Sequence, residues 1–158
     1  MKNPKIFLYK KIKDERGYFS EIYNNKILKK KFVQENLVFN KKKNTFRGLH
    51  YQEKPHAQGK LITVIRGSII DYICKVQKNI NYYILKKYKL TEHDSKWLWV
   101  PPNYAHGYLT CEDNTIILYK VTNAFNPNYE KKINIFREKI YPPINIKKMN
   151  IIISHKDS

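Results

Sequence analysis

The segment RGLHYQEKPHAQGKL, residues 47 to 61, sets Arg47, His50, His56 and Lys60 between short apolar runs. An imidazole beside an ammonium suits the removal of a proton next to a carbonyl, because the neutral ring takes the proton while the cation stabilises the enolate oxygen. The same cation depresses the histidine pKa and keeps the ring basic near neutral pH. If TFRGLHYQ is a strand, its period of two sends Arg47, Leu49 and Tyr51 to one face and Gly48, His50 and Gln52 to the other. Gly48 makes a β-bulge plausible, and a bulge re-aims a side chain, so Arg47 and His50 could reach one cavity. Lys60 opens the next strand, expected as an antiparallel neighbour that carries its ammonium toward His50. Taken alone, a histidine in a strand is more often a hydrogen-bonded structural residue than a base.

Two further clusters have the same character. In VPPNYAHGYL (100–109), Pro101 and Pro102 set a turn and His106 follows just before a strand; in ILYKVT (117–122), Tyr119 sits among apolar neighbours. Singly, these read as a rigid loop with a surface histidine and as a core tyrosine with a bonded hydroxyl.

The elements that must position these groups are predominantly strands. Nine runs, KIFLYKKI, GYFSEIY, FVQENLVF, TFRGLHYQ, KLITVIRGSIIDYICKV, YYILKKYKL, WLWVP, GYLTC and TIILYKVT, are rich in β-branched and aromatic residues. Turn signals at Asp14-Glu15-Arg16-Gly17, Arg66-Gly67 and Pro101-Pro102-Asn103 punctuate them. Only NNKILKKKF (24–32) reads as a helix. Nine to eleven short strands in 158 residues predict a single all-β domain over 1–158, a jelly-roll barrel with one short helix. The tail from Lys131 is less regular, and Pro142-Pro143 denies it a continuous helix, so it is expected to wrap the barrel.

Composition narrows the partners. With 42% hydrophobic residues and 14% aromatics the chain should fold. No apolar run approaches the roughly 18 residues that span a bilayer, so a soluble, unexported, cytoplasmic protein with no membrane partner is expected. Cys74 and Cys111 stand in no paired spacing, which points to free thiols. The 31 Lys+Arg against 13 Asp+Glu give +18 and favour anionic partners. However, the only arginines are Arg16, Arg47, Arg66 and Arg137; the excess is scattered lysine, without the arginine and aromatic clustering of specific nucleic-acid readers. No specific nucleic-acid partner is expected.

The clusters stand in the order of one family. DERGYFSEIYN (14–24), FVQEN (32–36), RGLHYQ (47–52), AQGKL (57–61), VPPNYAHGYL, LYKVTNAFNP (118–127) and SHKD (154–157) resemble the 3,5-epimerases that act on dTDP-4-keto-6-deoxy sugars in rhamnose synthesis, the RmlC-like branch of the cupins. The resemblance covers nearly the whole chain. It implies that His50 removes the C3 and C5 protons, both acidified by the C4 ketone, and that Asp157 orients its ring. It implies that Tyr119 returns a proton on the opposite face and that Lys60 holds the enolate. Arg16 and Arg47 would clamp the pyrophosphate, and Glu21, Gln34, Asn36, His106, Glu130 and Lys156 match other substrate-contacting positions. Phe125 falls where the family stacks an aromatic, usually Tyr, on the nucleobase. The resemblance further implies a homodimer, a nucleotide-sugar substrate and, because only protons move, no cofactor and no metal.

The chain departs from the family at Lys75 and Gln77, where Asp-x-Arg is common, and at INIFRE (133–138), where Trp-Asn-Asp is common. These changes bear on subunit packing and thymine specificity rather than on proton transfer. Epimerisation at C3 alone or C5 alone, or of a GDP- or UDP-sugar, stays open, as does a noncatalytic cupin that binds sugar or nucleic acid. A metal cupin using His50, His56 and His106 is a weaker rival, because Gln52 stands at the second position of the H-x-H pair and Lys60 would repel a divalent cation.

Overall fold

The computed structural model describes residues 1–26, 28–77, 81–143 and 150–158. Its strands are β1 (Lys5–Leu8), β2 (Ile12–Asp14), β3 (Gly17–Phe19), β4 (Gln34–Asn40), β5 (Thr45–Gln52), β6 (Lys60–Arg66), β7 (Ser68–Lys75), β8 (Tyr83–Thr91), β9 (Lys96–Val100), β10 (Tyr104–Thr110), β11 (Thr115–Val121), β12 (Glu130–Lys132), β13 (Ile140–Tyr141) and β14 (Ile152–Ile153). One sheet runs β1-β9-β6-β11-β4; the second runs β12-β5-β10-β7-β8-β13, with β14 also on β5. Hairpin β2–β3 stands apart as a two-stranded pair. This is the expected jelly roll.

Alternation decides which side chains face inward. In β4, Gln34, Asn36 and Val38 are covered while Glu35, Leu37 and Phe39 face out, as a strand with one solvated face requires. The inner faces meet in a core that includes Ile62, Val64, Ile69, Ile73, Leu98 and Ile117. The first five residues of β6 are buried without alternation. Its outer face is covered as well, by a cluster of Leu28, Leu61, Trp97 and Trp99 flanked by Tyr23 and Phe32.

That second cluster explains why the helix expected at 24–32 does not form among its described residues; Ile27 lies outside them. The Asn24 side chain accepts from the Lys26 N–H at 2.9 Å, and the Lys30 N–H donates to Leu28 O at 2.6 Å. Both bonds are turn-like. Leu28 and Phe32 dock separately against the two tryptophans, and the Val33 N–H bonds Val121 O at 2.9 Å, which leads the chain into β4. Tertiary burial outweighs a weak lysine-rich helical preference here. The only helical element among the described residues is a 3-10 turn at Pro127–Tyr129.

A bulge lies between β5 and β10. His106 pairs with His50 and Tyr108 with Arg47, so Gly48 and Leu49 together oppose Gly107. Gly48 has φ +123°, a conformation open to glycine and costly for other residues. The two strands touch backbone to backbone: a Cβ on Gly107 would stand 2.4 Å from Arg47 O and 2.8 Å from Gly48 Cα. Neither obstacle is a flexible side chain that could yield. Gly107→Ala is therefore expected to lower stability by about 1–3 kcal/mol, read as an earlier denaturation midpoint with an unchanged slope.

The tail wraps the barrel as expected. β12 runs antiparallel to the second half of β5, β14 runs parallel to its first half, and β13 runs parallel to β8. Cys74 is buried and Cys111 exposed, both as free thiols. Among the described residues no helix is long and apolar enough to cross a membrane.

Candidate active site

A cavity of about 450 Å³ opens between the two sheets. From β4, β6 and β11 of one sheet it receives Gln34, Asn36, Lys60 and Tyr119; from β5 and β10 of the other, Arg47, His50 and His106. The bulge at Gly48 brings Arg47 and His50 to this one space despite their odd spacing. Lys60 arrives by a route different from the expected one. β6 belongs to the sheet facing β5 and is not its antiparallel neighbour, so the ammonium approaches His50 across the barrel. The reason is connectivity: β5 is already flanked by β10 on one edge and by the tail strands on the other.

His50 is held by the tail. Its Nε2 lies 2.7 Å from Asp157 Oδ1, and Asp157 Oδ2 accepts from the Gly48 N–H at 3.4 Å. Asp157 is only 5% exposed, anchored by the Ser154–Asp157 turn that follows β14. A carboxylate accepts only, so Nε2 carries the hydrogen and Nδ1 is left as the basic nitrogen. Burial is the main influence on this ring and holds its pKa below the ordinary 6.5. The Asp157 carboxylate acts in the opposite sense, and the Lys60 charge adds to the depression.

Lys60 is buried, and loss of hydration is the main influence that pulls its pKa from 10.5 down to about 8. The ammonium therefore stays charged at neutral pH. Tyr119 stands on the opposite sheet from His50, and burial raises its phenol above 10 despite Arg47 nearby, so it holds its proton. An imidazole base and a protonated phenol thus face one space from two sides.

At the mouth, Gln34 Nε2 donates to Asn36 Oδ1 at 2.8 Å and Gln34 Oε1 accepts from the Phe125 N–H at 2.9 Å, which places the half-exposed Phe125 ring on the rim. Glu130 and Lys156 pair there, and Arg47 Nε donates to Asn40 Oδ1 at 3.0 Å. Arg16 and Glu21 are not among the residues that line the cavity. Arg16 sits in the β2–β3 turn, 83% exposed and paired with Asp14 at 2.7 Å; Glu21 bonds Asn24 on the surface. Both therefore stay outside the cavity of their own chain.

His56 also lies off the cavity, its ring centroid 4.4 Å from that of Tyr129 with the planes tilted by 41°. Gln52 is occupied in tying loops together, donating to His56 O at 2.7 Å and accepting from the Asn126 N–H at 2.7 Å. His50, His56 and His106 therefore do not converge, and among the described residues no three His, Cys, Asp or Glu side chains gather as a metal would need. Sequence reasoning missed Asp71, which is completely buried with its Oδ2 3.3 Å from His106 Nδ1. A lone acid inside the apolar run SIIDYICK was the available signal.

Comparison with known proteins agrees with this geometry. Residues 1–158 match the family described as dTDP-4-dehydrorhamnose 3,5-epimerase. A protein of that name from Sinorhizobium fredii is 34% identical over 161 residues, covering 98% of this chain and 82% of its own. The crystal structure of the Bacillus anthracis dTDP-4-dehydrorhamnose 3,5-epimerase with TDP and PPi bound superposes with a TM-score of 0.83 at 30% identity, over 98% of this chain and 90% of that one. The Legionella pneumophila enzyme RmlC, solved in complex with dTDP-4-keto-L-rhamnose, gives a TM-score of 0.80 at 26% identity, over 98% and 84%.

Proposed function

Because the chain belongs to the dTDP-4-dehydrorhamnose 3,5-epimerase family along residues 1–158, we propose how its cavity divides the work of that reaction. The protein is an isomerase that epimerises a dTDP-linked 4-keto-6-deoxyhexose. His50 removes the proton from C3 and from C5 in turn, with Asp157 orienting the ring. Lys60 holds the enolate oxygen, and Tyr119 returns a proton on the other face. Inverting a centre through a planar enolate needs a base and an acid on opposite sides, since one group alone only washes the proton in and out. The observation that carries this reading is the placement of His50 and Tyr119 on facing sheets around one open cavity. Every step moves only protons, so the scheme calls for no cofactor. Arg47, His106, Gln34, Asn36, Glu130 and Lys156 are proposed substrate contacts, and Phe125 a stacking surface for the nucleobase.

The homodimer implied by resemblance gains support from the β2–β3 hairpin. It exposes Ile12, Tyr18 and Phe19, and an isolated two-stranded hairpin is marginal in water unless something covers it. Arg16 and Glu21 would then serve as substrate contacts in the cavity of a second copy. Light scattering is expected to give the mass of two chains, and a fully active monomer would remove this part of the proposal.

The test of function is incubation with dTDP-4-keto-6-deoxyglucose in heavy water, followed by NMR at C3 and C5. Deuterium at both carbons is the expected result. Entry at one carbon restricts the protein to single-site epimerisation, and entry at neither sinks the assignment. The pH profile follows from the two shifted groups. Activity should fall on the acid side as His50 protonates, below pH 6.5, and on the alkaline side as Lys60 deprotonates, around pH 8. A plateau extending to pH 10 would exclude Lys60 as the charge that holds the enolate.

A further inference from the structure

Behind His106, which lines the cavity, lies an acid that the proton transfers do not use. Asp71 lies on β7 opposite Tyr108 of β10 and is completely buried. Its Oδ2 meets His106 Nδ1 at 3.3 Å, while its Oδ1 has no hydrogen-bond partner among the described residues. The other titratable groups near it are Lys60 from the facing sheet, Tyr88 of β8 and Tyr108 of β10. None of the three bonds it: its one ion-pair or hydrogen-bond partner among the described residues is His106, and the Tyr108 hydroxyl is directed to Asn40.

A buried carboxylate with one oxygen unpartnered and no lysine or arginine paired to it among the described residues is a costly arrangement. A carboxylic acid needs one acceptor for its hydroxyl, and His106 Nδ1 stands where that acceptor is required. We propose that Asp71 is a neutral acid donating its proton to His106 Nδ1, which fixes His106 in the tautomer that offers Nε2–H to the cavity as a hydrogen-bond donor for an oxygen of the bound sugar. Asp71 is thus a positioning residue that acts through His106. Burial raises Asp71 well above the carboxylate range, more than Lys60 lowers it, and keeps His106 well below 6.5, so both members stay uncharged together. The advantage is electrostatic. The cavity already carries the Lys60, Arg47 and Lys156 charges, and a neutral imidazole donor orients the sugar without adding a further cation to repel them. Only the identity of the ligand oxygen rests on the epimerase reading.

Nitrogen-15 NMR of the labelled ligand-free protein, with His106 assigned by the signal lost in His106→Gln, tests the tautomer directly. Nδ1 should resonate as the unprotonated, pyridine-type nitrogen and Nε2 as the protonated, pyrrole-type one. The reverse assignment overturns the proposal, and this measurement stands whether or not the protein epimerises a sugar. In activity, Asp71→Leu should cost about 10- to 100-fold in kcat through the lost hydrogen bond, and Asp71→Asn, which keeps an N–H for Nδ1, should recover most of that loss. The alkaline limb of the Asp71→Asn profile should stay in place. Its displacement to lower pH would mean that Asp71 is instead an ionised partner of Lys60, and would overturn the proposal.

Discussion

The His50→Ala protein is expected to take up deuterium at neither C3 nor C5, with kcat lower by roughly 10²–10⁴-fold, while Tyr119→Phe keeps proton removal and loses inversion. The contrast follows from where the two groups stand. His50 projects from β5 with its ring fixed by Asp157 at 2.7 Å, and Tyr119 projects from β11 in the opposite sheet. Without the imidazole no carbanion forms, so there is nothing for the phenol to protonate. Without the phenol's hydroxyl the enolate still forms, and the proton returns from the face it left or from solvent. Following wash-in and stereochemistry in the same NMR time course separates the steps. Small and equal effects from the two substitutions would mean that neither residue carries the chemistry. The ring of Phe still fills the space of Tyr119, so a loss in that variant reports the hydroxyl and not packing.

Lys60→Met should lower kcat by about 10²–10³-fold, the scale for removing one donor to a developing oxyanion, and should make the protein more stable. In the fold Lys60 titrates at about 8 against 10.5 as the reference. Between those values the unfolded chain binds a proton that the folded chain does not, so stability rises with pH through this window. Below it, where both states are charged, burial of the ammonium costs the fold its full penalty. The difference of about 2.5 corresponds to roughly 3 kcal/mol at pH 7. Methionine follows the unbranched lysine stem one atom shorter and without the charge, and replacing a buried ion by a hydrophobe is often neutral or stabilising. Denaturant titrations at pH 7 and pH 10.5 should show a gain that is present at the first and shrinks at the second. A variant that is both less stable and fully active would refute the view that Lys60 is a buried charge retained for function.

Much of the cavity lining is legible in the sequence. Arg47 and His50 looked irreconcilable by strand alternation, and Gly48 between them pointed to the bulge that the structure contains. His106, Tyr119 and Asp157 were each unremarkable in isolation and carried weight only through their order along the chain. Asp71 escaped notice because a single acid in an apolar strand does not reveal which neighbour it meets; its partner is supplied by the cross-strand register of β7 and β10. Chain order suggests a place for Lys60 beside β5, because consecutive strands usually pair, whereas the chain crosses to the other sheet between β5 and β6. The helix at 24–32 failed for a related reason. Lysine-rich periodicity is a local and weak preference, and the Trp97–Trp99 surface that overrode it is assembled from residues about 70 positions away.

The amino-acid sequence by itself determined the strands, the turns, the glycine at the bulge and the kinds of chemical group available, because alternation, backbone freedom and side-chain pKa are properties of a few adjacent residues. Tertiary structure alone decided which sheet each strand joined. It thereby decided that Lys60 and Tyr119 face His50 across the cavity, that the tail brings Asp157 107 residues along the chain to hold that histidine, and that Asp71 is sealed beneath His106. Those outcomes depend on burying both faces of β6 and on fitting the tail along β5. They are long-range packing requirements that no local stretch of residues encodes.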